Sequence, residues 1–302
     1  MLVDDRSTDD TGAQARALND PRLTVTRVDS LPEGWLGKLN ALNQGLQSAN
    51  GEWILFSDAD VHLAPGTLAK LIDWAEREGI DGIAAVPKIT PGGPVITAAL
   101  AAFSRFIVTF PRLWAVEDPK SKAAMGVGAF NLFRRSALEK SPGLEWLKME
   151  IADDAALGIM LKRHGAKQRV VIAQEAVSLE FYDSYSAMAR ALEKNGAMAP
   201  VGLILLGLVA LTAVELGYLG AFADQRLYGV GVITFLLGLS TQLGVCRWLH
   251  MPVWPAISPG LGIIPLVTAI GRSGLLAWQR GGVNWRGTFY STATVRAGMR
   301  IK

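Results

Sequence analysis

From Met1 to about Ala199 apolar and charged residues alternate as in a globular protein, whereas from Pro200 to about Ala277 charge almost vanishes. The shift predicts a globular part over 1–199, membrane or re-entrant helices over 200–280, and a basic tail over 281–302. In the first part the apolar run Trp53-Ile54-Leu55-Phe56 ends abruptly in Ser57-Asp58-Ala59-Asp60-Val61. Bounded by Gly51 and the Pro65-Gly66 turn, it reads as a buried parallel strand that delivers Asp58 and Asp60 to its exposed end. Ligands of open α/β sheets bind beyond such strand ends.

The neighbouring pattern alternates strand and helix. Met1–Val3 reads as a strand end, a helix runs to Leu18, and Leu23–Val28 is a second strand. A helix then places Leu39, Leu42 and Leu46 on one face. The next has Pro65 at its first position, Leu68, Leu71, Ile72 and Ala75 toward the core, and Gly79 at its end. Gly82–Pro87 is a further strand, and the helix after Asp153-Asp154 turns Leu157, Met160 and Leu161 inward. This βαβα order predicts an α/β domain with a doubly wound, largely parallel sheet.

Val95–Val116 is apolar but broken by Arg105, Pro111 and Arg112, which predicts an amphipathic helix lying on a membrane surface. Val201–Phe222, Leu227–Cys246 and Val253 to about Ala277 are each long enough to cross a bilayer at roughly 1.5 Å per residue. Glu215 interrupts the first of these, and an intramembrane acid requires a partner, for helix packing or for an acceptor headgroup. With 302 residues, half of them hydrophobic, the chain can bury a large core. A net charge of +3 is too small to indicate nucleic acid, and one cysteine, Cys246, excludes a disulfide within the chain. The charged opening predicts no secretory leader.

Composition leaves the chemistry to a few short groups of residues. Two carboxylates at one strand end repel unless a divalent cation, Mg2+ or Mn2+, neutralises them, and such a cation in turn bridges phosphate oxygens. Equally, Asp58 could cap a loop and Asp60 a helix. Asp4 and Asp5 stand at a strand end where a carboxylate meets a nucleotide in doubly wound folds, and Lys38 follows Gly37 at a helix N-terminus, a place suited to phosphate or to ordinary loop chemistry. Asp153 and Asp154 suit the dipole of the helix they open, and beside a bound donor either could act as a general base. Met125-Gly126-Val127-Gly128 allows close approach of backbone to a ligand or to another element.

Val3-Asp4-Asp5-Arg6-Ser7-Thr8-Asp9, Gly34-Trp35-Leu36-Gly37-Lys38, Asp58-Ala59-Asp60 and Asp153-Asp154, in that order, resemble the family 2 glycosyltransferases. Glu193-Lys194-Asn195 and Val283-Asn284-Trp285-Arg286-Gly287-Thr288-Phe289-Tyr290 are similar to the membrane-bound branch that glycosylates lipids such as ceramide, carotenoids or hopanoids. The resemblance implies a GT-A-like catalytic domain. It implies Asp4 and Asp5 on the nucleoside, Lys38 on the diphosphate, Asp60 with Asp58 on the metal, and Asp154 as base of a single inverting displacement. The implied donor is a nucleotide-diphosphate sugar such as a UDP-sugar, the acceptor a lipid hydroxyl, and the place the cytoplasmic face of the cell membrane. Two departures accompany it. The chain starts at what would be the family's second strand, which predicts an open edge, an unfilled core and reduced activity. No Gln-x-x-Arg-Trp follows the base, which disfavours a polymerase and leaves Trp285-Arg286 as a substitute at most. A nucleotidyltransferase and a non-catalytic membrane scaffold are the other readings.

The tail poses a problem of topology. It carries Arg272, Arg280, Arg286, Arg296, Arg300 and Lys302 without an acid, which assigns it to the cytoplasm, yet three full crossings would place it opposite the catalytic domain. Pro252, Pro255, Pro259, Pro265 and Arg272 weaken the third segment as a span, so it is expected to be re-entrant or interfacial, returning Trp285-Arg286-Gly287 toward the active site.

Overall fold

The computed structural model describes residues 1–257 and 260–301; Pro259 and Lys302, invoked above, lie outside them. The chain begins β1 (Leu2–Asp5), α1 (Thr11–Ala17), β2 (Val25–Val28), α2 (Gly37–Ser48), β3 (Trp53–Phe56), β4 (Val61–Leu63), α3 (Thr67–Glu78), β5 (Gly82–Val86), β6 (Lys88–Thr90) and α4 (Pro94–Thr109). It continues through β7 (Asn131–Arg134), α5 (Arg135–Glu139), α6 (Asp153–Arg163), β8 (Gln168–Ile172), β9 (Val177–Glu180) and α7 (Tyr185–Ala191). A 3-10 turn, Leu192–Ala197, leads to α8 (Val201–Ala223), α9 (Tyr228–Trp248) and α10 (Ile263–Arg280), and the hairpin β10 (Gly282–Trp285) and β11 (Thr288–Ser291) precedes α11 (Thr292–Gly298).

An α/β part is thus followed by a helical one, but the sheets mix directions more than the sequence suggests. The four-stranded sheet has the order β3-β7-β5-β8, in which β3 and β5 run antiparallel to β7 while β5 and β8 are parallel. β1 and β2 pair in parallel, and β4-β9-β6 forms a separate three-stranded sheet in which β9 runs antiparallel to β4 and parallel to β6. The run ending at Asp60 therefore divides. Trp53–Phe56 is strand, Ser57 to Asp60 is an exposed loop, and β3 is bonded antiparallel to β7, Phe56 facing Asn131. An apolar run of four residues has the same composition whichever way its neighbour points.

The α3 helix begins later than its proline implies. Gly66 takes φ 78 before the first helical residue, Thr67, and Leu68 faces outward, while Leu71, Ile72 and Ala75 pack on the core beneath β5 and β7. The second core cluster lies between α2, β3, β7 and α6, where Leu36, Leu39, Ile54, Phe133, Leu157 and Met160 are buried. Burying each such side chain stabilises the fold by about 1.5–3 kcal/mol, and here it clamps the first turns of α2 and α6 against the end of β3.

Among the described residues three helical stretches are long and apolar enough to cross a membrane: Pro94–Ala115, α8 and α9. Pro94–Ala115 nevertheless rests on the α/β part at both ends. Ile96 and Ala99 cluster with Phe181, Tyr182 and Met188, whereas Val108, Leu113 and Val116 cluster with Val86, Val170 and Ile172. Its Arg105 is ion-paired with Glu215 of α8, so the acid that interrupts the first span has its partner on α4. The third apolar segment is not one helix: a 3-10 turn at Trp254–Ile257 precedes α10. α10 lies along the α/β part as well. Ser273 donates to the Glu193 carbonyl at 2.9 Å, Arg272 is 2.6 Å from the Glu193 carboxylate, and a methyl on Gly196 would lie 2.2 Å from the Ser273 carbonyl oxygen. α8 and α9 instead leave Leu206, Val209, Val214, Ile233 and Leu237 exposed.

The tail returns to the α/β part. Arg296 donates to the carbonyls of Ala197 and Ala199 at 3.0 and 2.7 Å, and the buried carboxylate of Glu150 accepts the backbone N–H groups of Arg300 and Ile301. The β10–β11 connection is the two-residue loop Arg286-Gly287, with φ 47 and 78, the left-handed pair that tight hairpins require.

Candidate active site

Four of the residues singled out in the sequence meet where β3, α2 and α6 converge. Asp58 follows β3, Lys38 is the second residue of α2, and Asp153 and Asp154 open α6. Lys38 Nζ lies 2.8 Å from Asp58 Oδ1 and 3.2 Å from Asp153 Oδ2. Asp154 Oδ2 accepts the Gly128 N–H at 2.9 Å, and the Asp58 N–H donates to the Gly128 carbonyl at 3.2 Å. A methyl on Gly128 would sit 3.2 Å from Asp58 Oδ2, 3.4 Å from Asp154 Oδ2 and 3.5 Å from Lys38 Nζ, so the three groups surround a single point. Gly126 and Gly158 explain how the loop comes so close. A methyl on the first would lie 1.8 Å from the Asp154 carbonyl oxygen and on the second 2.4 Å from the Met125 carbonyl. That glycine pair thus brings the loop onto α6.

Burial opposes the charge of Lys38, but Asp153, Asp58 and then Asp154 outweigh it and hold the ammonium well above its ordinary range. Burial pushes the Asp153 carboxyl up; Lys38 pulls against that, and Asp154 reinforces it. Asp153 is thereby tied to Lys38 in the interior, while Asp154 is half-buried and faces the cavity that Phe56, Ser57, Gly128 and Asn131 line with it.

Asp60 is exposed and has no ion pair among the described residues. Burial, with the negative charge of Asp60 and Asp58, pushes the Tyr182 phenol up, and the Tyr182 ring packs against the cluster that α4, α7 and α10 form. Among the described residues no group of three or more His, Cys, Asp or Glu is arranged to hold a metal ion. Two carboxylates, one exposed and one sharing an oxygen with Lys38, still fit a cation such as Mg2+, which takes its remaining ligands from phosphates and water.

The strand-end acids of β1 divide. Asp4 lies inside its turn: the side chain is fully buried, accepts the Ser7 N–H at 3.1 Å and pairs with Arg27 at 3.0 Å. Those bonds pull its carboxyl below the usual range against the effect of burial. With no free surface, Asp4 organises the loop instead of facing a nucleoside. Asp5 pairs with Arg6 at 2.8 Å, and a methyl on Gly37 would lie 2.8 Å from each of these side chains, so Asp5 borders the Lys38 turn.

Comparison with known proteins places these elements in a family. The family model described as Glycosyl transferase family 2 matches residues 1–141, the segment that supplies Asp5, Lys38, Asp58, Asp60 and Gly128. Residues 1–141 are a family 2 glycosyltransferase domain. Asp153, Asp154 and Lys194 lie beyond the matched segment. The succinoglycan biosynthesis protein ExoO of Rhizobium meliloti (strain 1021) is 34% identical over 79 residues, 26% of this chain and 22% of that protein, so the match spans about a fifth of the relative's length. Among solved structures the chain is similar to the mannosyltransferase PcManGT from Pyrobaculum calidifontis in complex with GDP-Man and Mn2+, with 18% identity, TM-score 0.45, and 98% and 75% of the two chains covered. It is also similar to S. aureus TarS 1–349 in complex with UDP-GlcNAc, with 14% identity, TM-score 0.37, and 96% and 86% covered.

Around the glycosyltransferase domain the structure adds residues to which sequence reasoning assigned no role. Lys194 Nζ sits 4.5 Å from the centre of the Trp285 ring. Burial lowers its ammonium below the ordinary range, against the pull of Asp153. Tyr290 of the tail hairpin accepts the Gly37 N–H at 3.3 Å, and Arg6 donates to Thr288 of the same hairpin at 3.3 Å. The sequence signal for this seam is the Val283–Tyr290 motif, whose Trp285-Arg286-Gly287 is expected near the active site, but the contacts of Tyr290 with Gly37 and of Thr288 with Arg6 are not legible in it.

Proposed function

We propose that the chain is a metal-dependent, inverting glycosyltransferase that moves one sugar from a nucleotide-diphosphate donor, such as a UDP-sugar, to a membrane lipid hydroxyl. The convergence of Lys38, Asp58 and Asp154 on one point beside a family 2 glycosyltransferase domain supports this reading. Lys38 carries its charge on the α2 N-terminus, where backbone N–H groups and an ammonium together suit a diphosphate. Asp5, at the end of β1, borders that turn and is the carboxylate available to the nucleoside. A divalent cation bound by Asp60 and Asp58 would neutralise diphosphate charge as it develops. Asp154, oriented by the Gly128 N–H, takes the proton of the acceptor hydroxyl as its oxygen attacks the anomeric carbon. The bond to the diphosphate breaks on the opposite face, and the configuration inverts.

Identifying the leaving group tests the reaction class. Release of a nucleoside diphosphate is expected, whereas release of inorganic diphosphate would mark a nucleotidyltransferase. Asp60→Asn is expected to remove most activity and shift the divalent-ion requirement upward, with thermal unfolding unchanged because the side chain is exposed. Equal ion dependence in the variant would remove Asp60 from the metal site.

For the membrane, the reading supported best is that α8 and α9 cross as a hairpin while α4 and α10 lie at the interface beneath the α/β part. Two crossings return the tail to the side of the catalytic domain, in agreement with its bonds to Glu150 and Ala197. In a background with Cys246 replaced, a thiol at position 300 is expected to resist impermeant reagents in intact cells and to react after permeabilisation. Labelling from outside would overturn this topology.

A further inference from the structure

The C-terminal hairpin touches the α/β part at its most consequential turn. The Gly37 N–H is one of the first donors of α2 and has no partner within the helix. No side chain of the preceding residues caps α2, and Leu36 is the extended residue at its start. The phenol oxygen of Tyr290, 253 positions away in sequence, accepts that N–H in a buried contact. Thr288 accepts from Arg6, which also grips Asp5 through two nitrogens at 2.8 and 3.0 Å. Trp285, on the opposite strand, lies over Lys194. The hairpin ring and hydroxyl therefore supply from the tail the cap that the local sequence of α2 lacks, one residue before Lys38.

We infer that Tyr290 is a positioning residue. It fixes the first turn of α2 so that Lys38 projects between Asp58 and Asp153, and it thereby makes the donor side of the site depend on the docked tail. The inference rests on the proposed role of Lys38 toward a diphosphate, but the order it imparts to α2 can be measured without any donor.

The test uses the full chain in detergent micelles. Tyr290→Phe keeps the ring and removes the acceptor. Amide hydrogen exchange over residues 37–40 is expected to quicken roughly fivefold, the scale of one lost capping bond, with exchange in β5 and β8 unchanged. Thr288→Val, which leaves the Gly37 contact intact, is expected to stay within about twofold of the parent at these amides. Binding of UDP and of GDP, each with Mn2+, is expected to weaken by a similar factor in Tyr290→Phe for whichever nucleotide the parent binds. Unchanged exchange over residues 37–40 in Tyr290→Phe overturns the inference. So does tighter nucleotide binding, which would make the phenol a competitor for phosphate. If the parent binds neither nucleotide, the donor reading fails, and the exchange result still decides the role of Tyr290.

Discussion

Asp154→Asn is expected to lower turnover by about 10²-fold or more while nucleoside diphosphate binding stays within a few-fold of the parent. The geometry separates the two effects. Asp154 has one oxygen on the Gly128 N–H and the other on the Ala155 N–H, and Lys38 pairs with Asp58 and Asp153 instead. An amide can keep one of those bonds through its oxygen but cannot accept a proton at neutral pH. The group that anchors diphosphate would therefore survive while the group that deprotonates the acceptor is lost. Single-turnover rates and nucleotide titrations on the same preparations check this. A collapse of nucleotide affinity with a proportionate fall in rate would make Asp154 a binding residue, and Asp153, buried against Lys38, would become the candidate base.

Much of this site was legible because its parts are local. An apolar run that stops at Asp58 fixes a strand end, Gly37-Lys38 before Leu39 fixes a helix start, and Asp153-Asp154 before Leu157 fixes another. Each statement needs about ten residues of context. What stayed hidden depends on distant partners. The antiparallel pairing of β3 with β7 joins Phe56 to Asn131, and nothing within either strand records its direction. Asp4 and Asp5 look alike in sequence, yet Arg27 and Ser7 enclose one and Arg6 turns the other toward Gly37. The basic residues of the C-terminal stretch assign it to the cytoplasm by their charge alone, but in the fold Arg272 and Arg280 meet Glu193, and Arg296 meets backbone carbonyls. These three arginines thus have partners within the fold, which a count of charges along the sequence does not record.

Lys38→Met is expected to destabilise the protein by about 3 kcal/mol near neutral pH, the scale on which removing one partner leaves a buried charge uncompensated. It should also weaken nucleoside diphosphate binding by about tenfold, the loss of roughly 1.4 kcal/mol from one charged contact. The stability effect arises at Asp153, whose side chain is only 8% exposed. Burial already raises this carboxyl above its ordinary value of 3.8, with Lys38 opposing the rise and Asp154 adding to it. A carboxyl whose folded pKa is raised binds its proton more tightly in the folded state. Its ionised form therefore weakens the fold increasingly as pH climbs from the unfolded value through the folded one. Without Lys38 that window extends upward, so the deficit of Lys38→Met relative to the parent should be largest near pH 7 and shrink on acidification toward about pH 5. Adding Asp153→Asn removes the buried charge, and the double variant is expected to be more stable than Lys38→Met alone at neutral pH. Thermal unfolding of the parent, both single variants and the double, at the two pH values, decides the matter. A deficit independent of pH and not relieved by Asp153→Asn would mean that Lys38 supports the fold through the packing of its alkyl stem and not through the charge it shares with Asp153.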